Sequence, residues 1–159
     1  MSCLTQLLAH IDHIYNCLNS GEEVDVIYLD YAKAFDKVDH NILLAKLEKY
    51  GIGGQVLAWI RSFLTNRTQT VLVEGKKSSF QAVISGVPQA TVLGPILSLL
   101  YINDLFPIFR NSRGFSFAED TKLLGTILGR GGVIRLQEDL YKVVEWSAVN
   151  NMGGPREEI

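Results

Sequence analysis

The sequence predicts an α+β domain in which a small antiparallel sheet has helices packed on one face. Three observations point there. Segments with apolar residues at helical spacing alternate with short β-rich runs in the order αβααββαββα. The later β-rich runs come in pairs joined by polar turns, as hairpins do. At 159 residues and 47% hydrophobic content, the chain can bury a core.

In chain order, apolar residues first fall at Leu4, Leu7, Leu8, Ile11, Ile14, Tyr15 and Leu18, a helical stripe that stops near Gly21. His10 and His13 share that helix without metal-ligand company and are expected at the surface. Val24 to Asp30 reads as a buried strand ending on a carboxylate. Asp39 is placed to cap a helix through Ile42, Leu43, Leu47 and Tyr50, with Gly51 as its stop. A further helix from about Gly54 to Leu64 carries Val56, Leu57, Trp59, Ile60 and Phe63. Thr70–Val73 and Phe80–Ile84 read as a hairpin with Glu74–Ser79 as its polar tip. The loop Ser85-Gly-Val-Pro-Gln89 leads into an apolar helix reaching about Leu105, where Pro95 is tolerated near the first turn. Phe115–Ala118 and Lys122–Thr126 form a second hairpin, with Glu119, Asp120 and Thr121 at its turn. The last helix, roughly Val133 to Val149, presents Leu136, Leu140, Val143, Val144 and Ser147 on one face. Residues 153–159 read as a disordered tail, leaving 1–152 as the folded domain.

The formal net charge is −2. A free-standing nucleic-acid binder usually carries a basic excess, because phosphate contacts supply most sequence-independent affinity. Either nucleic acid is not the partner, or the basic parts lie outside this stretch. Cys3 and Cys17 on one helix would stand about 21 Å apart, too far for a disulfide, so free thiols in a reducing compartment are expected. Met1 is followed by neither a basic n-region nor an uninterrupted apolar h-region, and the run Val92–Ile102 is too short to span a bilayer. The expectation is a soluble chain of the nucleus or cytoplasm with no membrane partner.

Two acidic features stand where strands meet loops: Asp30 at the end of its strand, and the pair Glu119 and Asp120 in a tight turn. If those strands are neighbours, three carboxylates converge at one edge. Hard divalent cations take such oxygen ligands, and two of them stabilise attacking and leaving oxygens in phosphoryl transfer. Position alone favours the plainer reading, since acidic residues at turns are common as solvated punctuation.

The local sequences add to this. Leu29-Asp30-Tyr-Ala-Lys-Ala-Phe35-Asp36-Lys-Val-Asp-His40 resembles motif A of the reverse transcriptases of non-LTR (LINE-type) retrotransposons. Ser85-Gly86-Val-Pro88-Gln89-Ala-Thr-Val-Leu93-Gly94-Pro95 resembles their motif B, followed by Tyr101-Ile-Asn-Asp-Leu105. Phe117-Ala118-Glu119-Asp120-Thr-Lys122-Leu resembles motif C. The three motifs keep the family's order and intervals, and the likeness runs from residue 2 to about residue 152. It implies a polymerase palm-like fold and two-metal transfer of a deoxynucleotide, with Asp30, Glu119 and Asp120 as the catalytic Mg²⁺ ligands for two ions. Phe35 matches the gate that crowds a ribose 2′-OH. Gln89 matches the residue that contacts the incoming nucleotide, above a loop shaped by Gly86 and Pro88. Lys122 faces either phosphate or solvent, while Asp36, Asp39 and His40 read as capping and salt-bridging residues.

The chain departs from the family pattern in two places. Glu119 stands where an aspartate is usual, and Ala90-Thr91 stands where Gly-Ser is usual. The longer glutamate arm would displace its carboxylate by about 1 Å, on the order of a 100-fold loss. The resemblance therefore implies an impaired copy. Fingers and thumb are expected to lie outside this stretch, so RNA template and DNA primer would be partners of an intact enzyme, and this chain would bind nucleic acid weakly. The alternatives are a catalytically dead element remnant and a non-catalytic RNA- or protein-binding module.

Overall fold

The computed structural model describes residues 3–31, 34–117 and 120–153, without the side chains of Cys3, Ser116, Phe117 and Asp120. The elements are α1 (Cys3–Asn19), β1 (Glu23–Asp30), α2 (Ala34–Lys37), α3 (His40–Lys49), α4 (Gly54–Leu64), β2 (Thr68–Gln69), β3 (Leu72–Val73), β4 (Lys76–Lys77), β5 (Gln81–Ala82), α5 (Leu93–Ile102), a 3-10 helix (Asn103–Ile108), β6 (Ser112–Phe117), β7 (Asp120–Ile127) and α6 (Gly129–Val149). They divide into two compact units, Met1–Ala32 with Asn103–Ile159, and Lys33–Ile102.

The first unit is built on an antiparallel sheet of order β1-β7-β6. Successive residues of a strand face opposite sides, so each face can be read from its contacts. On one face Leu123 and Ile127 pack with Ile27 against Leu136 of α6. Gly125 lies on the same side, where a Cβ would come within 2.8 Å of the Leu136 side chain. α6 thus covers this face, and the expectation that helices pack on one face alone is corrected by α1. α1 adds contacts on the second face, where the Cys17 thiol meets the Thr126 hydroxyl at 3.8 Å and His10 meets the Phe115 ring edge-on at 5.5 Å.

That docking places α1 differently from the surface assignment of its histidines. Leu4, Leu7, Leu8, Ile11, Tyr15 and Leu18 are exposed, whereas His10 is half-buried and Cys17 buried. Burial, with the charges of Lys122 and His13 behind it, pushes the His10 pKa down. The helical period was legible from sequence; which side of the helix meets the sheet was not. On α6, Leu136, Val143 and Ser147 are buried as expected, Leu140 is half-buried, and Asp139 and Trp146 join them, while Val144 is exposed. α6 also begins earlier than expected, at Gly129. Its Gly132 sits where a Cβ would approach the Ile127 Cα to 2.8 Å, so glycine there serves close packing.

In the second unit α3 packs on α4 and α5 around Leu43, Leu47, Leu64, Leu97 and Tyr101. Asp39 caps α3 as expected, its Oδ1 accepting from the Asn41 and Ile42 N–H groups at 2.9 and 3.1 Å. Gly51 closes the helix with φ +84°, and the Gly51 and Ile52 N–H groups bond back to Glu48 and Leu47. Buried Lys46 donates to the Tyr101 carbonyl at the end of α5. α5 stops at Ile102 rather than near Leu105, and a 3-10 helix containing Pro107 follows; proline has no N–H to continue an α-helical ladder.

The hairpin is longer and more tightly turned than expected. β2 pairs with β5, and β3 pairs with β4 beyond it. Glu74 at φ +48° and Gly75 at φ +77° make a two-residue turn of the primed kind that matches strand twist. Between the two ladders the Ser78 hydroxyl accepts from the Val71 N–H, and the Thr70 hydroxyl donates to the Ser78 carbonyl. No described helix is long and apolar enough to cross a membrane. Of the expected tail, only Gly153 lies within the described residues.

Candidate active site

β1 ends on Asp30, whose register partner on β7 is Asp120. Phe117 of β6 pairs with Asp120 in turn, so three strands end together here. Asp30 is exposed between buried Leu29 and buried Tyr31. Glu119 lies outside the described residues, as does the Asp120 side chain. Among the described residues, no three His, Cys, Asp or Glu side chains group to hold a metal.

Tyr31 fixes the end of this strand. Its hydroxyl pairs with the Ser147 hydroxyl at 3.1 Å, and Ser147 donates to the Val143 carbonyl one helical turn earlier. Its ring meets Trp146 edge-on at 6.2 Å, and the Trp146 indole N–H donates to Asp104 at 2.9 Å. Burial pushes the Tyr31 pKa up, against a smaller opposing effect of the Ser147 hydrogen bond. Asp30 is thus carried by a backbone anchored to α6 from the neighbouring residue. Lys122 stacks over the Tyr28 ring at 4.9 Å, directly across the β1–β7 ladder.

In the other unit, the loop from Ser85 to Gln89 is stitched to the segment Phe35–Val38. Gly86 N–H donates to the Val38 carbonyl at 2.8 Å, Val87 N–H to the Phe35 carbonyl at 2.9 Å, and the Ser85 hydroxyl to the Asp36 carbonyl at 2.8 Å. Gly86 is required twice over: its φ is +84°, and a Cβ would lie 2.9 Å from the Asp36 Cα. Half-buried Phe35 and exposed Gln89 both belong to this assembly, and the Gln89 amide donates to the Asp36 carboxylate at 3.1 Å. Pro88 offers its carbonyl to the Thr91 hydroxyl, which in turn accepts the Gly94 N–H at 3.0 Å and caps α5. Between Thr91 and Gln89, Ala90 holds φ +56°, the left-handed region that favours glycine. A cleft of about 780 Å³ opens here, lined by Asp36, Arg67, Ser85, Gly86, Pro88 and Gln89 among others.

The structure therefore pairs Asp30 with Asp120 in one unit and gathers Phe35, Gly86, Pro88 and Gln89 in the other. Sequence reasoning missed Tyr31, Arg67 and the long-range role of His40, whose Nε2 sits 2.9 Å from the Gly86 carbonyl oxygen. Only the apolar setting of Tyr31 beside a strand-end carboxylate hinted at any of them.

Comparison with known proteins identifies the family and the fold. The family profile described as reverse transcriptase (RNA-dependent DNA polymerase) matches residues 4–153. The chain is similar to the RNA-directed DNA polymerase from mobile element jockey of Drosophila melanogaster, 41% identical over 63% of this chain and 11% of the relative. It is also similar to the probable RNA-directed DNA polymerase from transposon X-element of the same organism, 29% identical over 93% of this chain and 17% of the relative. The chain thus spans less than a fifth of these curated relatives. Among solved structures, apo telomerase from Candida tropicalis superposes with a TM-score of 0.67 at 13% identity, over 96% of this chain and 34% of that one. At that identity the likeness speaks for the fold, which is palm-like.

Proposed function

Because this chain belongs to the reverse transcriptase family of non-LTR retrotransposons, we propose that it is the palm of an RNA-directed DNA polymerase that adds deoxynucleotides to a primer 3′-hydroxyl. The register pairing of Asp30 with Asp120 carries this reading. Carboxylate oxygens are the donors that Mg²⁺ takes, and Asp30 is exposed at a strand end that its neighbour Tyr31 holds in place. Asp30 and Asp120, with Glu119 in an altered role, would hold the two ions. When bound, such ions lower the pKa of an attacking hydroxyl and neutralise charge on the phosphates. The chain's own part is positioning: Gln89 and the Gly86–Pro88 loop receive the nucleotide, and Phe35 crowds the 2′ position of its sugar. No protein nucleophile is needed. RNA template and DNA primer are the proposed partners, gripped mainly by parts of the polymerase beyond this stretch, in keeping with the net charge of −2.

This copy is proposed to be slow, because the Glu119 arm is one methylene longer than aspartate and a 1 Å error can cost on the order of 100-fold. Primer extension on an RNA template with Mg²⁺, run with a full-length family polymerase carrying this palm, tests both points, alongside Mn²⁺ binding followed by electron paramagnetic resonance. Glu119→Asp is expected to raise the extension rate, by up to roughly 100-fold. Asp30→Asn is expected to abolish extension and weaken Mn²⁺ binding. Unchanged Mn²⁺ affinity in Asp30→Asn sinks the metal site, and equal rates for Glu119→Asp and the parent chain sink the impairment.

A further inference from the structure

The Gly86 carbonyl oxygen accepts two side-chain donors. The His40 Nε2 approaches it at 2.9 Å and the Arg67 Nη2 at 2.7 Å. A carbonyl has two lone pairs, so both acceptor sites are used, and the His40 proton must sit on Nε2. His40 is buried at the start of α3. Arg67 also donates from Nε to the Leu64 carbonyl at 2.8 Å, which ties the last turn of α4 to the loop. The N–H side of Gly86 is held separately by Val38.

This arrangement answers a problem that glycine itself creates. A glycine peptide turns with little steric restraint, so its own backbone does not fix the direction of the loop that follows. Three residues later stands Gln89, whose remaining anchor is one exposed hydrogen bond to Asp36. The Val87 N–H bond to the Phe35 carbonyl holds one edge of the Gly86–Val87 peptide, and His40 and Arg67 hold the other, at its carbonyl. Arg67 also lines the cleft beside Gln89, yet its guanidinium faces carbonyl oxygens there.

Building on the nucleotide subsite proposed above, we infer that His40 and Arg67 are positioning residues that clamp the Gly86 carbonyl and so present Gln89 to an incoming deoxynucleoside triphosphate. The test uses the purified chain and its His40→Ala, His40→Gln and Arg67→Met variants. Two quantities are read: affinity for a deoxynucleoside triphosphate with Mg²⁺, by calorimetry, and amide hydrogen exchange along the chain. His40→Ala is expected to weaken the nucleotide about tenfold, the effect of losing one buried hydrogen bond. It is also expected to speed exchange at Gly86 and Val87 while the α3 and α5 core amides stay protected. The glutamine variant keeps an N–H donor and is expected to restore most of both. Arg67→Met is expected to act at the same two amides, which gives a second route should His40→Ala fold poorly. Exchange at Gly86 and Val87 that is unchanged in both variants overturns the clamp, as does exchange that rises equally over all of α3 to α5. If the parent chain binds no nucleotide at millimolar concentration while the two amides still respond, the subsite reading fails and the clamp survives as a purely structural device.

Discussion

Ala90 shows how a single residue can carry strain that its neighbours impose. Its φ of +56° lies between Gln89, tied to Asp36, and Thr91, which caps α5, so neither side can relax. A left-handed alanine costs about 1–2 kcal/mol. Ala90→Gly is therefore expected to raise stability by about 1 kcal/mol, the strain relieved exceeding the added chain entropy, as measured by urea unfolding. The buried Asp139 carboxylate is a second such point. It accepts the Lys142 ammonium at 2.7 Å and the Arg110 and Asn111 N–H groups. Burial alone would raise its pKa, but the Lys142 bond and the two backbone donors outweigh this and hold it below the usual 3.8. A depressed folded pKa contributes stability above the ordinary value and loses it as pH falls through the folded one. Asp139→Asn is expected to cost about 2 kcal/mol near neutral pH, with the gap to the parent closing below pH 3.8 in thermal melts. Sequence showed the polar residues of the two loops through their motifs, but not Asp139. Its two backbone donors lie 28 and 29 positions away, and Lys142 three residues on does not by itself mark an acid as buried on an apolar helix face.

Elements were most legible where chemistry punctuates them. The cap at Asp39 and the stops at Gly21 and Gly51 follow from the side chains themselves, and the structure adds a matching termination at Asn151 after α6, all three terminations having positive φ. Length was less legible. The hairpin tip contracts from the polar stretch Glu74–Ser79 to the Glu74–Gly75 turn because Gly75 can take positive φ and Ser78 side-chain bonds replace part of the ladder. Glu74 occupies a turn position where asparagine is favoured. Glu74→Asn is expected to stabilise the hairpin by a few tenths of a kcal/mol, read as slower amide exchange at Lys76 and Ser78, with no change in α3 to α5. α1 marks the opposite limit: periodicity found the helix, but its large apolar side chains face outward while His10 and Cys17 meet the sheet.

For the molecule as a whole, the α+β palm-like class was readable because the strands alternate with amphipathic helices and the motifs keep their order. The division into two units was not readable, since no Pro- or Gly-rich linker separates Tyr31 from Ala34 or Ile102 from Asn103. Nor could any local window reveal that β7 lies between β1 and β6. That order has a consequence for how the polypeptide leaves the ribosome. β1 waits for a partner roughly 90 positions downstream, several seconds of translation at about 5–20 residues per second. All of Lys33–Ile102, a separate compact unit, emerges in that interval. β1 therefore stays an unpaired edge, open to chaperones and to wrong partners, until the central strand arrives.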